Sequence, residues 1–104
     1  MPSHINQCLL EGHLVTAAVK QEDGSAVVCL QNHEEWTDDN HQPQSRENML
    51  GLRAIGRMAA KLMTFPGGSH LLILAKAETT TTTGPRGGSQ TKTKFRVVNI
   101  SRPS

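Results

Sequence analysis

The sequence predicts an all-β chain with one short helix, closed as a five-stranded barrel. Three observations predict it. Short runs rich in β-formers are separated by turn residues, a strict period of two runs over Met49–Ile55, and one helix-like stretch is wedged between the third and fourth runs. The length of 104 residues suits a single domain, 1–104, with a modest core. A hydrophobic fraction of 36% and a mean hydropathy of −0.42 describe a soluble chain. No apolar run approaches the roughly 18 residues that a membrane span needs.

From Ile5 to Val19 the apolar residues Ile5, Cys8, Leu9, Leu10, Leu14, Val15 and Val19 are broken only by short polar interruptions. This reads as a long first strand bent at Gly12, because a glycine inside a strand pattern marks a bulge or bend. Gln21–Ser25 is a turn around Asp23-Gly24, and Ala26–Leu30 is the second strand, completing a hairpin. His33 to Asn48 has Trp36 as its one large apolar residue and contains Pro43, so a long loop is expected at about 33–48. In the third strand Leu50, Leu52 and Ala54 point one way and Met49, Gly51, Arg53 and Ile55 the other.

Arg57–Phe65 reads as a short helix with Met58, Leu62 and Phe65 on one side, stopped by Pro66-Gly67-Gly68. His70–Ala77 is the fourth strand. Its run Leu71-Leu72-Ile73-Leu74 is apolar on both faces, so both faces need a cover. Thr79–Thr91 is low-complexity and is expected as a mobile loop at about 79–91, before a last strand over Phe95–Ile100. A helix between the third and fourth of five strands is the arrangement of the oligonucleotide-binding (OB) fold, a five-stranded Greek-key barrel. Such barrels bind across strands two and three, between the loops joining strands one to two and four to five.

Charge is divided unevenly. Residues 1–47 hold Lys20 and Arg46 against eight acids, a net −6, while residues 48–104 hold nine bases against Glu78, a net +8. A basic half favours a polyanion partner, and a solvated basic face balancing an acidic loop is the plain alternative. Non-specific single-strand binders combine a basic groove with flat side chains on which bases stack. The candidates are Arg53, Lys76, Arg86, Lys92, Lys94 and Arg96 for phosphates and Trp36 for stacking. Trp36 could instead anchor its loop to the domain. With so few rings, phosphate contacts should dominate. If Leu71 and Ile73 face the core, Leu72 and Leu74 face out and mark a subunit interface, unless the loop after strand four covers them.

The stretch Ile5-Asn6-Gln7-Cys8-Leu9-Leu10-Glu11-Gly12-His13-Leu14 resembles the Ile-Asn-x-Val-x-Leu-x-Gly-x-Leu first strand of the bacterial single-stranded DNA-binding proteins. Trp36 after the second strand, Ile55-Gly56-Arg57 entering the helix, Gly68-Ser69 after it and Val97-Val98-Asn99-Ile100 in the last strand are similar to the same family. The resemblance implies non-specific single-stranded DNA binding in replication, recombination or repair, as a homodimer or homotetramer, with replication or restart proteins as further partners. Family members usually carry more aromatics on the DNA-facing sheet, where the resemblance places Met49, at the start of strand three, in an aromatic's position among the nucleic-acid-binding residues, and an acidic C-terminal tail that this sequence does not have. Those departures point to a divergent, tail-less member of a primosomal replication-restart or mobile-element type. RNA in place of DNA stays open.

Other classes fit less well. Five histidines form no tight ligand spacing with cysteine or carboxylate, so no metal or other cofactor is expected. Gly84-Pro85-Arg86-Gly87-Gly88 runs into a strand and lacks a Gly-Lys-Ser/Thr end, and there is no nucleophile elbow, so catalysis is not expected. The competing reading is an OB barrel that serves as a protein-interaction or oligomerisation module. Two cysteines, Cys8 and Cys29, and the absence of a basic-then-apolar leader over Met1–His4 suggest a reducing cytoplasm, and the resemblance implies a place beside the bacterial nucleoid.

Overall fold

The structure is a computed structural model that describes residues 4–103. Met1–Ser3, part of the leader reading, and Ser104 lie outside the described residues. The elements are β1 (Cys8–Leu14), β2 (Val19–Lys20), β3 (Ala26–Thr37), β4 (Pro43–Ala54), α1 (Gly56–Leu62), β5 (His70–Thr83) and β6 (Ser89–Ser101). β1 pairs with β5, β5 with β6, β6 with β4, β4 with β3, and β3 returns to β1. This is a closed five-strand barrel with the OB topology. β2 is a two-residue continuation of the first strand, held against Val27 and Ala26. The β4–β6 pairing is parallel and closes the Greek key.

Period two places the core. Leu14, Ala26, Val28, Leu30, Leu52, Ala54, Leu71, Ile73 and Ala75 are buried, all on the inward parity of their strands. Val97 and Ile100 keep the inward parity of β6 because one extra residue, Val98, bulges opposite Leu74 and Ala75. The helix closes one end of the barrel with Ala59 and Leu62, while Met58 and Phe65 pack against its rim. Lys61 Nζ donates to the Ile100 carbonyl at 2.9 Å and ties the helix to β6.

Several expected boundaries are corrected. The first strand does not run unbroken to Val19 but is interrupted at residues 15–18. At Gly12 a Cβ would collide with the Gln31 carbonyl oxygen, next to where β1 passes from β5 to β3. The helix ends at Leu62, three residues early, and residues 63–65 turn into Pro66.

The two expected loops are not loops. Residues 33–48 lie largely in the β3–β4 hairpin, paired without a break from Ala26↔Ala54 to Thr37↔Pro43. Residues 79–91 lie in the β5–β6 hairpin, paired out to Thr83↔Ser89. A ribbon projecting from a barrel has no buried face, so it carries no apolar alternation. Its backbone hydrogen bonds and cross-strand side-chain pairs suffice to hold it.

Candidate nucleic-acid interface

Residues directly opposite one another in a ladder share a face of the sheet. On the outer face Arg53 of β4 is the partner of Arg96 of β6, and Arg96 is opposite Lys76 of β5. Three cations thus form one row across three strands. Towards the arm, Lys94 lies opposite Glu78 and Lys92 opposite Thr80. The local sequence Lys92-Thr93-Lys94-Phe95-Arg96-Val97 produces this by alternation: cations outward, Phe95 and Val97 against the core. Arg53, Glu78, Thr80, Lys92 and Lys94 line one concavity, and Arg53 and Lys94 also border a second with Asp23 and Val27.

Two members of the row are ion-paired. An Arg53 nitrogen lies 3.5 Å from Asp23 and an Arg96 nitrogen 3.1 Å from Glu78. The Asp23 carboxyl sits below its ordinary range, chiefly because the Ser25 hydroxyl and N–H donate to it at 2.6 and 2.9 Å, with Arg53 adding to the effect. Among the described residues Lys76, Lys92 and Lys94 have no ion-pair partner, and all three are exposed. Exposed ion pairs are weak and screened by salt. A polyanion could therefore displace Asp23 and Glu78 at little cost.

The remaining candidates fall in different places. Arg86 sits at the tip of the β5–β6 arm, in a turn where the Gly87 N–H donates to the Gly84 carbonyl at 3.0 Å. Met49 faces outward on β4 opposite Gln31 and is 56% exposed. Trp36 lies on the other arm, opposite Gln44, with 43% of its surface exposed and the Arg46 guanidinium 5.5 Å from the ring centroid. Gln44 is nine residues from Arg53 on β4, about 30 Å at roughly 3.3 Å per residue. Trp36 is not among the residues packed on the barrel core, and along β4 its position is well removed from the cationic row. Its arm is acidic, with Glu34, Glu35, Asp38, Asp39 and Glu47 against Arg46. Not every base of the second half converges either: Lys61 is bound to β6, and Arg102 lies 5.3 Å over the Phe65 ring.

Leu72 and Leu74 face outward on β5 and are half-buried. Leu9 of β1 lies directly opposite Leu74 and is 68% exposed. The sequence reading missed Leu9, which it took simply as part of an apolar run.

Also missed was a polar seam where β1 meets β3 and β5. The His13 and His70 rings stack at 4.5 Å, and His70 Nε2 is 2.7 Å from a Glu11 oxygen. His33 is held between Glu35 and Glu47, and both carboxylates raise its pKa. Partners up to 59 residues apart in sequence leave no local pattern to read. Among the described residues no group of three or more side chains could hold a metal ion. Asn6 of the first-strand motif has a local purpose: its carboxamide donates to the Ala77 carbonyl at 2.8 Å and accepts from the Ala77 N–H at 3.1 Å. It thus extends the β1–β5 ladder by a side chain.

No protein-family model matches the sequence, and no curated protein matches it significantly. Solved structures do match. A Plasmodium falciparum SSB in complex with ssDNA superposes with a TM-score of 0.77 at 14% identity, over 94% of this chain and 90% of that one. A small single-stranded DNA-binding protein from Streptomyces coelicolor gives 0.67 at 17% identity, over 93% of both chains. A deletion mutant of the single-stranded DNA binding protein from Thermus aquaticus gives 0.73 at 19% identity, over 96% of this chain and 51% of that one. The chain shares its fold with these proteins. No helix among the described residues is long and apolar enough to cross a membrane.

Proposed function

We propose that this chain binds single-stranded DNA without sequence preference and without catalysis, as a divergent member of the single-stranded DNA-binding family. The observation that carries the reading is the row Arg53, Arg96 and Lys76, continued by Lys94 and Lys92, on the outer face of an OB barrel. Arg53 stands on the third of the five barrel strands, one of the two across which OB barrels bind, and the row runs from it towards the arm that ends in Arg86. With little aromatic surface nearby, phosphate contacts supply most of the affinity. Three solved structures of the same fold carry single-stranded DNA binding in their descriptions. The small number of aromatics favours a replication-restart or mobile-element role within replication, recombination or repair, in a bacterial cytoplasm. The Leu9, Leu72 and Leu74 face would join copies into a homodimer or homotetramer.

A fluorescence titration with oligo-dT at two salt concentrations tests the reading. The anisotropy of a dye-labelled oligo-dT should rise on binding, and log affinity should fall against log salt by roughly 0.7 per neutralised phosphate; quenching of Trp36 would add the β3–β4 arm to the contact. Equal affinity for oligo-rU would widen the ligand to RNA. Absence of binding at about 50 mM salt, where phosphate contacts are strong, would favour the second reading, a protein-interaction barrel. That alternative is supported by the acidic β3–β4 arm and by the carboxylates already paired with Arg53 and Arg96.

A further inference from the structure

Where β1 meets β3 the ladder is short. It consists of His13↔Gln31 and Leu14↔Leu30, extended by the Val15 N–H, which donates to the Cys29 carbonyl at 3.0 Å. Against β5 the same strand is paired continuously from Cys8↔Ala75 to His13↔His70. His13 belongs to both ladders and stands at the point where β1 changes partner.

Side chains on the outer face cover this short closure. The His13 and His70 rings stack with centroids 4.5 Å apart and planes 17° from parallel. His70 Nε2 is 2.7 Å from the Glu11 carboxylate. Asn32 Nδ2 donates to the Glu11 carbonyl at 2.7 Å, so β3 also reaches β1 through a side chain. Glu11, His13, His33, Glu47 and His70 line one concavity. Its charges are already assigned. Glu11 of β1 serves His70, while Glu35 of β3 and Glu47 of β4 are bonded to His33. β6 brings Ser101 opposite Leu72, and the Arg102 guanidinium is turned over Phe65. The turn over 66–69 carries no charge. Among the described residues His13 thus has no carboxylate partner.

This arrangement accommodates one proton on the stacked pair. A charged His70 is matched by Glu11, and a neutral His70 can still donate Nε2–H to it, so the bond survives into alkaline solution. Histidines gain their charge as pH falls between 8 and 5. With both rings charged, two cations stand face to face with one carboxylate at hand. Even at the screening of bulk water, like charges about 4 Å apart shift an equilibrium roughly fivefold.

We propose that the His13–His70 stack is an acid-released latch on the barrel: with at most one proton on the pair the β1–β3 closure is shut, and a second proton opens it locally. The latch acts on β3, one of the two strands across which OB barrels bind, and it operates whether or not a nucleic acid is present.

Amide hydrogen exchange at Val15, corrected for the intrinsic chemical rate, reads the closure directly. Its protection should fall at least about fivefold from about pH 7.5 to about pH 5, while amides of the β3–β4 ladder in the barrel hold theirs. His13→Phe keeps a flat ring against His70 that takes no proton, and should show the same protection at both pH values. His13→Gln removes the ring and the charge together and should give the same level profile, so the result does not depend on how a phenyl packs. The His33 clasp does not imitate the effect: Glu35 and Glu47 raise its pKa, so it weakens as pH rises, in the opposite direction. Wild-type protection that stays level across this range, or a fall that persists in either uncharged variant, overturns the latch.

Discussion

The Arg53 guanidinium lies 3.5 Å from the Asp23 carboxylate, which Ser25 fixes from the other side. The pair joins the turn after β2 to the outer face of β4, and it holds one cation of the proposed phosphate row in a neutralised state. Asp23→Asn keeps an oxygen to accept from Ser25 and removes the charge that Arg53 sees. Oligo-dT affinity should rise a few-fold at low salt, and the gain should vanish at high salt as screening overtakes it. Because the carboxyl sits below its ordinary range, its stabilising contribution is full above that range and is lost as pH falls through the lowered value. The wild type should approach the Asn variant's affinity only in strong acid. Titrations of both proteins across salt and pH check this.

Gly12→Ala should destabilise the fold, because its Cβ would overlap the Gln31 carbonyl and lie 3.1 Å from Leu30 Cγ. Overpacking of this kind costs about 1–3 kcal/mol. Backbone carbonyls yield less readily than side chains, so the upper end is expected. Chemical denaturation should show a lower midpoint with an unchanged slope.

The same contrast explains how much of the fold was legible. Leu50, Leu52 and Ala54, and Leu71 with Ile73, announce their strands because one face of each is buried, and burial writes a period of two into the sequence. The arms have no buried face. Residues 33–47 are held by pairs such as Arg46–Glu34 at 2.9 Å, and such pairs become visible only once the register is known. Thr79–Thr83 did carry a signal, since threonine is a β-former, but five identical residues read as low complexity. The cations were nameable one by one. That Arg53 stands beside Arg96 depends on the parallel β4–β6 pairing, which no local pattern encodes.

His33 should titrate above the ordinary histidine range, because Glu35 and Glu47 both bond to its ring. A raised folded value means the contribution to stability is full below about 6.5 and is lost as pH rises through the raised value. Glu35→Gln and Glu47→Gln should each lower the midpoint of the imidazole titration. NMR titration of the imidazole signals measures it directly.

Lys92 and Lys94 are exposed and unpaired in ion pairs among the described residues, so they should contribute to binding through phosphate contact alone. The double variant Lys92→Ala with Lys94→Ala should reduce the log–log salt slope by roughly 1.4, two contacts at about 0.7 each. Thermal stability should be unchanged, since neither side chain supports the core. A weaker complex with an unaltered slope would mean that these lysines act on something other than phosphates.

Leu74 lies opposite Leu9 on an outer face that also carries Leu72 and the bulged Val98. Apolar side chains grouped on a strand surface are costly to leave in water and are commonly covered by another surface. Here the β5–β6 arm, which might have folded back as a loop over them, is instead a paired ribbon extending from the barrel. The cover proposed above is a second copy of this chain. Leu74→Asp should convert the proposed dimer or tetramer to monomer in sedimentation at micromolar concentration, with the circular dichroism spectrum retained because the barrel core on the opposite face is untouched. A wild type that already sediments as a monomer would remove the interface. A Leu74→Asp protein that keeps the wild-type oligomer would place the contact on another face of the barrel.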